Sequence, residues 1–327
     1  MRKALVIGIN EYGTRSLKGC VNDALRIHTL LWRHQNDELN FHSRIWTAPA
    51  VNVAMAKGPP LPPSINQSSL RRVLEEFFAD RHCELALVYF AGHGALNKLG
   101  GYLVTQDAQS YNQGLSMSDL LTLAHQSSIP EIIFILDCCH SGAFGNDRVA
   151  EGVVTLRDGI TVLSACGPTE FSLEENHRGV FTSLLCDGLD GGAADIQGKV
   201  TVASLYAYAD EALGAFQQRP FFKASVSRLP TLRRCAPGVP IEILRYLPEY
   251  FETASSEYPL DPSYEPDAGM DNLEHQRIFR YLQTLRDAHL LVPVGEPHLF
   301  YAAMRSKACK LTPLGRSYWR LAKERML

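Results

Sequence analysis

Two places in the 327-residue sequence carry side chains whose types and positions suit nucleophilic chemistry. The first is Leu85-Ala-Leu-Val-Tyr-Phe-Ala-Gly92-His93-Gly94, an apolar run of strand length that ends in a histidine bracketed by glycines. The second is Glu131-Ile-Ile-Phe-Ile-Leu-Asp137-Cys138-Cys139-His140-Ser141-Gly142, another apolar run ending in polar, reactive groups. In open α/β sheets ligands bind beyond the carboxyl ends of the strands, so these two ends share a crevice when their strands are neighbours. The thiolate is the nucleophilic form of cysteine, and a nearby imidazole that takes the proton is the usual way of making it. Cys139 is therefore the candidate nucleophile and His93 the candidate general acid/base. Gly94 allows close backbone approach to a reacting carbonyl, which makes its N–H and that of Cys139 a candidate oxyanion hole. Taken singly, a histidine after a strand is more often structural and a cysteine at a strand end more often a small buried hydrophobe. Their pairing at two strand ends is what singles them out. Strand alternation turns Cys138 away from Cys139 and into packing. A zinc site from Cys138, Cys139 and His140 is not expected, because consecutive residues cannot all converge on one ion and no second ligand pair is evident.

Such residues need a sheet to hold them. Short apolar runs at Ala4–Ile9, Ser43–Thr47, Leu85–Phe90, Ile132–Leu136, Ile160–Ser164 and Phe221–Val226 read as strands. Helical patterns lie between them near Cys20–His34, Leu70–Phe78, Ser116–His125, Phe181–Leu189 and Val202–Phe216. This alternation predicts an α/β fold with a mostly parallel sheet covered by helices on both faces. Ser116-x-x-Asp119 is a capping-box variant at a helix start. Ala50–Gln67, with Gly58-Pro59-Pro60 and Pro62-Pro63, reads as a surface excursion.

With both signatures placed, a family resemblance emerges. Tyr89-Phe-Ala-Gly-His93-Gly94 and Asp137-Cys-Cys139-His-Ser-Gly142 resemble the paired signatures of the caspase-like clan, closest to metacaspases and their prokaryotic relatives. Leu17-Lys-Gly19-Cys-Val-Asn22-Asp23-Ala24 and Gly101-Tyr-Leu-Val-Thr-Gln-Asp107 are similar to metacaspase segments, as are Ser164-Ala-Cys166, Glu170, Glu174 and Gly179-Val-Phe-Thr-Ser183. The 46 residues from His93 to Cys139 agree with the caspase spacing of about 50, although the caspase signature Q-A-C-[RQG]-G is absent. The resemblance implies a three-layer sandwich around a six-stranded sheet and a cysteine endopeptidase acting on protein substrates through Cys139 and His93. True caspases hold an aspartate with arginines, but Leu17 stands where one such arginine would be and Asp137 where caspases have glutamine. The resemblance to metacaspases puts Asp23 and Asp137, with Asp107 as a further candidate, around the first specificity pocket. Carboxylates in a concave site favour a cationic side chain, so cleavage after Arg or Lys is expected. A caspase-type Asp preference is the enzyme alternative, and a catalytically silent scaffold or DNA-binding regulator the other. The segment 142–159 resembles the linker cleaved in many clan members, with Arg148 and Arg157 as candidate self-cleavage sites. No cofactor or metal is expected. Calcium activation occurs among metacaspases and is left open, since no EF-hand-like spacing is present.

Composition bounds the remaining choices. At 46% apolar and 20% charged residues with a net charge of −3, the chain is neither disordered nor a general nucleic-acid coat. No apolar run approaches the ~20 residues a membrane helix needs, no secretory signal is evident, and eight scattered cysteines without a CxxC pair suggest free thiols in a reducing cytoplasm. The charge is unevenly spread. Residues 237–274 carry nine acids and one base, and residues 275–327 three acids and ten bases. We expect a peptidase domain over 1–230, a partly helical acidic connector over 231–272, and a basic module over 273–327. An amphipathic helix at Leu273–Leu291, with Leu273, Phe279, Leu282 and Leu285 near one face, is followed by strand, turn, strand and helix through Leu311-Thr-Pro-Leu-Gly315. That order resembles a small α+β winged-helix domain. Its role is expected to be regulatory, through a protein partner, ahead of DNA binding, because the basic block adjoins an acidic stretch of the same chain.

Overall fold

The computed structural model describes residues 1–51, 60–98, 100–109, 114–138, 156–165, 174–175, 178–214, 219–269 and 272–327. They fall into two compact units, Met1–Ala194 with Lys199–Ala236, and Asp195–Gly198 with Pro237–Leu327.

The first unit runs β1 (Arg2–Ile9), α1 (Cys20–Trp32), β2 (His42–Ala48), α2 (Gln67–Phe78), β3 (Leu85–Ala91), β4 (Gly94–Asn97), β5 (Gly100–Leu103), β6 (Leu115–Ser116) and α3 (Met117–Gln126). It continues through β7 (Glu131–Asp137), β8 (Ile160–Ser164), β9 (Glu174–Glu175), β10 (Arg178–Gly179), α4 (Val180–Asp187), β11 (Lys199–Thr201), α5 (Val202–Leu213), β12 (Phe221–Ser225) and β13 (Thr231–Arg234). Six strands form one sheet in the order β12-β8-β7-β3-β1-β2, parallel throughout except for β12, which lies antiparallel on β8. The mostly parallel six-stranded sheet read from the sequence is therefore present, and each of its six apolar runs is a strand.

Parallel strands buried on both faces must be apolar on both faces, and their alternate side chains divide between two helical layers. Leu5, Ile7, Val88, Phe90, Phe134 and Leu136 pack with Leu70, Leu74 and Phe77 of α2 and Leu120 of α3. Val6, Leu87, Tyr89, Ile133 and Ile135 pack with Ile27 and Leu31 of α1, Phe181 of α4 and Leu205 of α5. Truncating a central residue such as Phe134 to Ala would cost about 3–5 kcal/mol. The helices start where capping predicts. Ser116 accepts the backbone N–H of Asp119 at the head of α3, without the reciprocal bond of a full capping box. Asn66 and Thr201 close full boxes with Ser69 and Ser204 at α2 and α5.

In the second unit α6 (Ile241–Arg245) and α7 (Leu247–Tyr250) are separate helices, divided just before Pro248, which has no N–H to continue the ladder. Then come β14 (Glu257–Pro259), two 3-10 turns at Pro262–Tyr264 and Pro266–Ala268, α8 (Leu273–Asp287), β15 (Leu291–Val294), α9 (Leu299–Met304), β16 (Ala308–Leu311) and α10 (Pro313–Lys323). The strands form an antiparallel sheet in the order β14-β16-β15. Pro259 and Pro293 sit on the two edge strands, where a missing donor is tolerated.

The segment expected to be a connector is divided between the units. Thr231–Arg234 pairs with β11 in the first. Residues from Val239 onward build the core of the second, where Leu244, Leu247, Phe251 and Leu260 pack with Phe279, Leu282 and Leu285 of α8. The two compact units thus divide after Ala236. Leu273, expected on the buried face of α8, is 80% exposed at its first turn. The helix ends at Asp287, four residues before the expected Leu291, and a further helix, α9, stands between the two strands. The phrase Leu311-Thr-Pro-Leu-Gly315 has a local cause. Thr312 Oγ1 accepts the Gly315 N–H at 3.1 Å and donates to His289 O at 2.8 Å, and a Cβ at Gly315 would lie 2.0 Å from Leu290 O. No helix among the described residues is long and apolar enough to cross a membrane.

Candidate active site

Strands β3 and β7 are direct neighbours, with Ala91 opposite Asp137. The Gly92 N–H donates to Asp137 O at 3.3 Å, which ties the two strand ends together. This is the adjacency that the pairing of His93 with the end of β7 requires.

His93 is held by its backbone and by its ring. Its N–H donates to Tyr12 Oη at 3.0 Å, and its carbonyl accepts the Val104 N–H at 3.0 Å. Tyr12 Oη in turn donates to Val104 O at 3.3 Å, closing a circuit between the strand end and the edge of β5. The Tyr12 and His93 ring centroids are 4.6 Å apart. Burial holds the Tyr12 phenol well above its usual range, so its proton stays available to Val104. Gly92 leaves room for this hydroxyl, since a Cβ there would sit 2.3 Å from Tyr12 Oη. At the ring, Nε2 lies 2.7 Å from the carbonyl oxygen of Arg15, at the end of the 3-10 turn Gly13–Arg15. A carbonyl only accepts, so this bond assigns the proton to Nε2 and leaves Nδ1 as the basic nitrogen of the neutral ring.

Asp23 and Asp137 come together on the α1/α4 face. Asp23, in the first turn of α1, is 2% exposed, and Asp137, the last residue of β7, is 6% exposed. Asp23 Oδ2 accepts the N–H of Gly179 at 2.9 Å, and Asp137 Oδ2 accepts Thr182 Oγ1 at 2.7 Å. Thr182 Oγ1 is also 2.7 Å from Tyr89 Oη. Because the Thr182 proton goes to the carboxylate, Tyr89 is the donor in that second bond, giving a relay Tyr89 to Thr182 to Asp137. Burial first, then the Asp137 and Asp23 carboxylates, push the Tyr89 phenol well up. A Cβ on Gly179 would lie 2.4 Å from Asp137 Oδ2 and 3.2 Å from Asp23 Oδ2, so both carboxylates converge on one backbone position. Buried carboxylates are costly unless they are hydrogen-bonded or meet a cation, and this pair has donors already placed.

The other candidates part company with this pair. Asp107 Oδ1 accepts Gln67 N–H at 3.0 Å and Thr105 Oγ1 at 2.6 Å, bonds that tie it to the start of α2. Arg157 is a tether: its guanidinium donates to Ile129 O at 2.9 Å, Ala124 O at 3.3 Å and Asp158 O at 3.2 Å, which does not suit an extended cleavage segment. Gly94 opens β4 beside His93. Cys139 and Arg148 lie outside the described residues. Cys138 is 1% exposed and packs on the α2/α3 face, the side that strand alternation predicts. Burial disfavours the thiolate at three other cysteines, pushing Cys309 up to about 12 and raising Cys83 and Cys235.

Sequence reasoning missed Tyr12, the Arg15 carbonyl, Thr182 and the exact place of Gly179. Tyr12 carried one usable signal: it follows β1, the strand on the other side of β3, just past the carboxyl end.

The caspase domain family model matches residues 1–230. No curated protein sequence matches the chain. Among solved structures, the crystal structure of protein GSU0716 from Geobacter sulfurreducens is 16% identical, with a TM-score of 0.50 over 72% of this chain and 97% of that one. The crystal structure of caspase-1 from Spodoptera frugiperda is 13% identical, with a TM-score of 0.49 over 71% of this chain and 90% of that one.

Proposed function

The chain belongs to the caspase domain family of cysteine peptidases, and we propose that it is a metacaspase-type endopeptidase that cleaves after Arg or Lys. In this reading Cys139 Sγ attacks the scissile carbonyl after yielding its proton to His93 Nδ1. The Gly94 and Cys139 N–H groups receive the oxyanion, and His93 returns the proton to the departing amine. The carbonyl of Arg15 stabilises the imidazolium formed in between. A cytoplasmic, reducing setting keeps the thiol available.

The observation that carries the specificity is the convergence of Asp23 and Asp137 on Gly179. A substrate cation entering there gains charge-assisted bonds from two carboxylates already held by their own donors, and Arg can engage both oxygens of one of them. An aspartate would meet like charge, a penalty of several kcal/mol, which corresponds to more than about a hundredfold in rate. Incubating wild type and Cys139→Ala with a peptide library, followed by mass spectrometry of the new termini, tests both parts. Cleavage after Asp would refute the specificity, and undiminished cleavage by Cys139→Ala would refute the nucleophile. Arg148 remains the proposed self-processing position, read from the termini of the purified protein.

For the second unit we propose a regulatory, protein-binding role on a winged-helix-like fold. The β14-β16-β15 order supports the fold, and Phe300, Tyr301 and Met304, exposed together on α9, favour a protein contact over phosphate. Strongly salt-dependent retention of DNA in a mobility-shift assay would reverse that preference.

A further inference from the structure

A cavity of about 460 Å³ opens beside His93, and the acid pair plays no part in its walls. Tyr12, Thr14, Arg15, Gly94, Gln106 and Gln109 contribute to its lining together with His93 itself. The position is informative. Asp137 belongs to the α1/α4 face of the sheet, where Tyr89 and Phe181 pack. Tyr12 packs with the cluster of the opposite, α2/α3 face, as does Leu103, the residue before Val104. His93 stands between the two sites.

General-acid chemistry decides which part of a substrate lies on each side. His93 protonates the departing amine, so the residues after the scissile bond must start against the imidazole. With the residue before the bond directed to Asp23 and Asp137, the chain that follows it leads into the cavity.

The charges on the two sides are opposite. Among the described residues the lining contains no carboxylate, and apart from His93 its one cationic residue is Arg15. Arg15 is exposed, and its guanidinium makes no ion pair among the described residues. Its backbone carbonyl is already committed to His93 Nε2, which fixes the base of the side chain at the rim while leaving the cationic end to act on a ligand.

We propose that this cavity is the leaving-side subsite and that it takes an acidic side chain, Asp or Glu, in the first residues after the scissile bond, with Arg15 as the specificity-determining contact. The inference rests on the peptidase reading above and extends its substrate class to a basic residue followed closely by an acidic one.

The test uses the full chain and matched peptides that differ only in carrying Glu, Ala or Lys at the first and second positions after the bond. In wild type kcat/KM for Glu should exceed that for Lys by about tenfold. Arg15→Ala should bring the ratio near one, and Arg15→Glu should invert it, because a reversed charge reverses the preference. Ratios within each enzyme are compared, so any general loss of activity cancels. They are read on whichever residue before the bond supports turnover, so a failed Arg or Lys preference leaves this measurement standing. A second readout needs no turnover: anisotropy of the same fluorescently labelled peptides on Cys139→Ala, with and without Arg15→Glu, should give the same order of affinities. An unchanged Glu-to-Lys ratio in Arg15→Glu, or a wild-type preference for Lys, would overturn the inference while leaving the Cys139 reading intact.

Discussion

Tyr12→Phe removes one oxygen atom and tests how His93 is held. The Tyr12 hydroxyl accepts the His93 N–H at 3.0 Å and donates to Val104 O at 3.3 Å, while its ring lies 4.6 Å from the imidazole. Phenylalanine keeps the ring and the packing and loses both bonds. Each is worth about 0.5–1.5 kcal/mol net, so the expected loss of stability is about 1–3 kcal/mol. At roughly 2–4 °C per kcal/mol for a domain of this size, the melting temperature should fall by about 2–12 °C. The kinetic effect should be larger than the stability change suggests. The surviving His93–Val104 bond and the Arg15 carbonyl hold only one side of the loop, and displacement of a reacting group by about 1 Å can cost a hundredfold. We expect kcat to fall at least about tenfold with a smaller change in KM, because both bonds of the hydroxyl go to backbone groups while the ring that lines the cavity is kept. Differential scanning fluorimetry and steady-state cleavage of the best library peptide measure both quantities. Tyr12→Leu, which also loses the ring, should be worse on both. A Tyr12→Phe protein that is destabilised but retains its kcat would refute the positioning role and leave Tyr12 a packing residue.

Gly179→Ala would set a methyl group 2.4 Å from Asp137 Oδ2, so cleavage after Arg or Lys should fall by more than about tenfold with little change in secondary structure. Normal kcat/KM in that variant would remove the acid pair from the specificity pocket. Gly315→Ala should destabilise the second unit by about 1–3 kcal/mol through the 2.0 Å approach to Leu290 O, visible in hydrogen exchange of α10, and equal protection in the two proteins would contradict the packing argument. Burial holds His28, bonded to Ser43 Oγ at 2.8 Å, below its usual range, and shifts His34 and His125 in the same direction. The unfolded chain therefore takes up protons first as pH falls through about 6.5. Stability should be complete above neutrality and decline toward pH 5, with His28→Gln flattening part of the slope in melting curves. A slope of the opposite sign would contradict the assignment.

What the sequence exposed and what it concealed follow from the range of the interactions involved. The strand ends at His93 and Asp137 were legible because parallel strands must be apolar on both faces and then break abruptly into polar residues. The burial of Cys138 was legible too, as the next residue of a strand apolar on both faces. Tyr12 and Thr182 were not legible, because their partners stand 81 and 45 residues away and only the register of the sheet brings them close. The bond of Asp107 to Gln67 was not legible for a related reason: an acid in a loop looks the same whether it awaits substrate or holds the N-terminus of a helix 40 residues earlier. The acidic stretch after Pro237 looked like a connector because its buried residues come in short groups, Leu244, Leu247 and Phe251 and then Leu260 and Tyr264, separated by acids and prolines.

The sheet order itself explains why three separate chain segments supply one site. In β7-β3-β1 the middle strand delivers His93, one neighbour ends at Asp137, and the other continues into Tyr12 and Arg15. Adjacent strands are about 4.8 Å apart, so the three ends span roughly 10 Å, the length of about three residues of an extended peptide. In the proposed reading, a substrate laid across them would place one residue at the acid pair, its scissile bond at His93 and the next residues at Arg15. The alternation that packs two helical layers also divides the work, because Asp137 and Cys138 are consecutive and face opposite layers. Moving the register of β7 by a single residue would exchange a carboxylate for a thiol beside Gly179 and Thr182, so the buried apolar pattern of that strand is also what sets the polarity of this face.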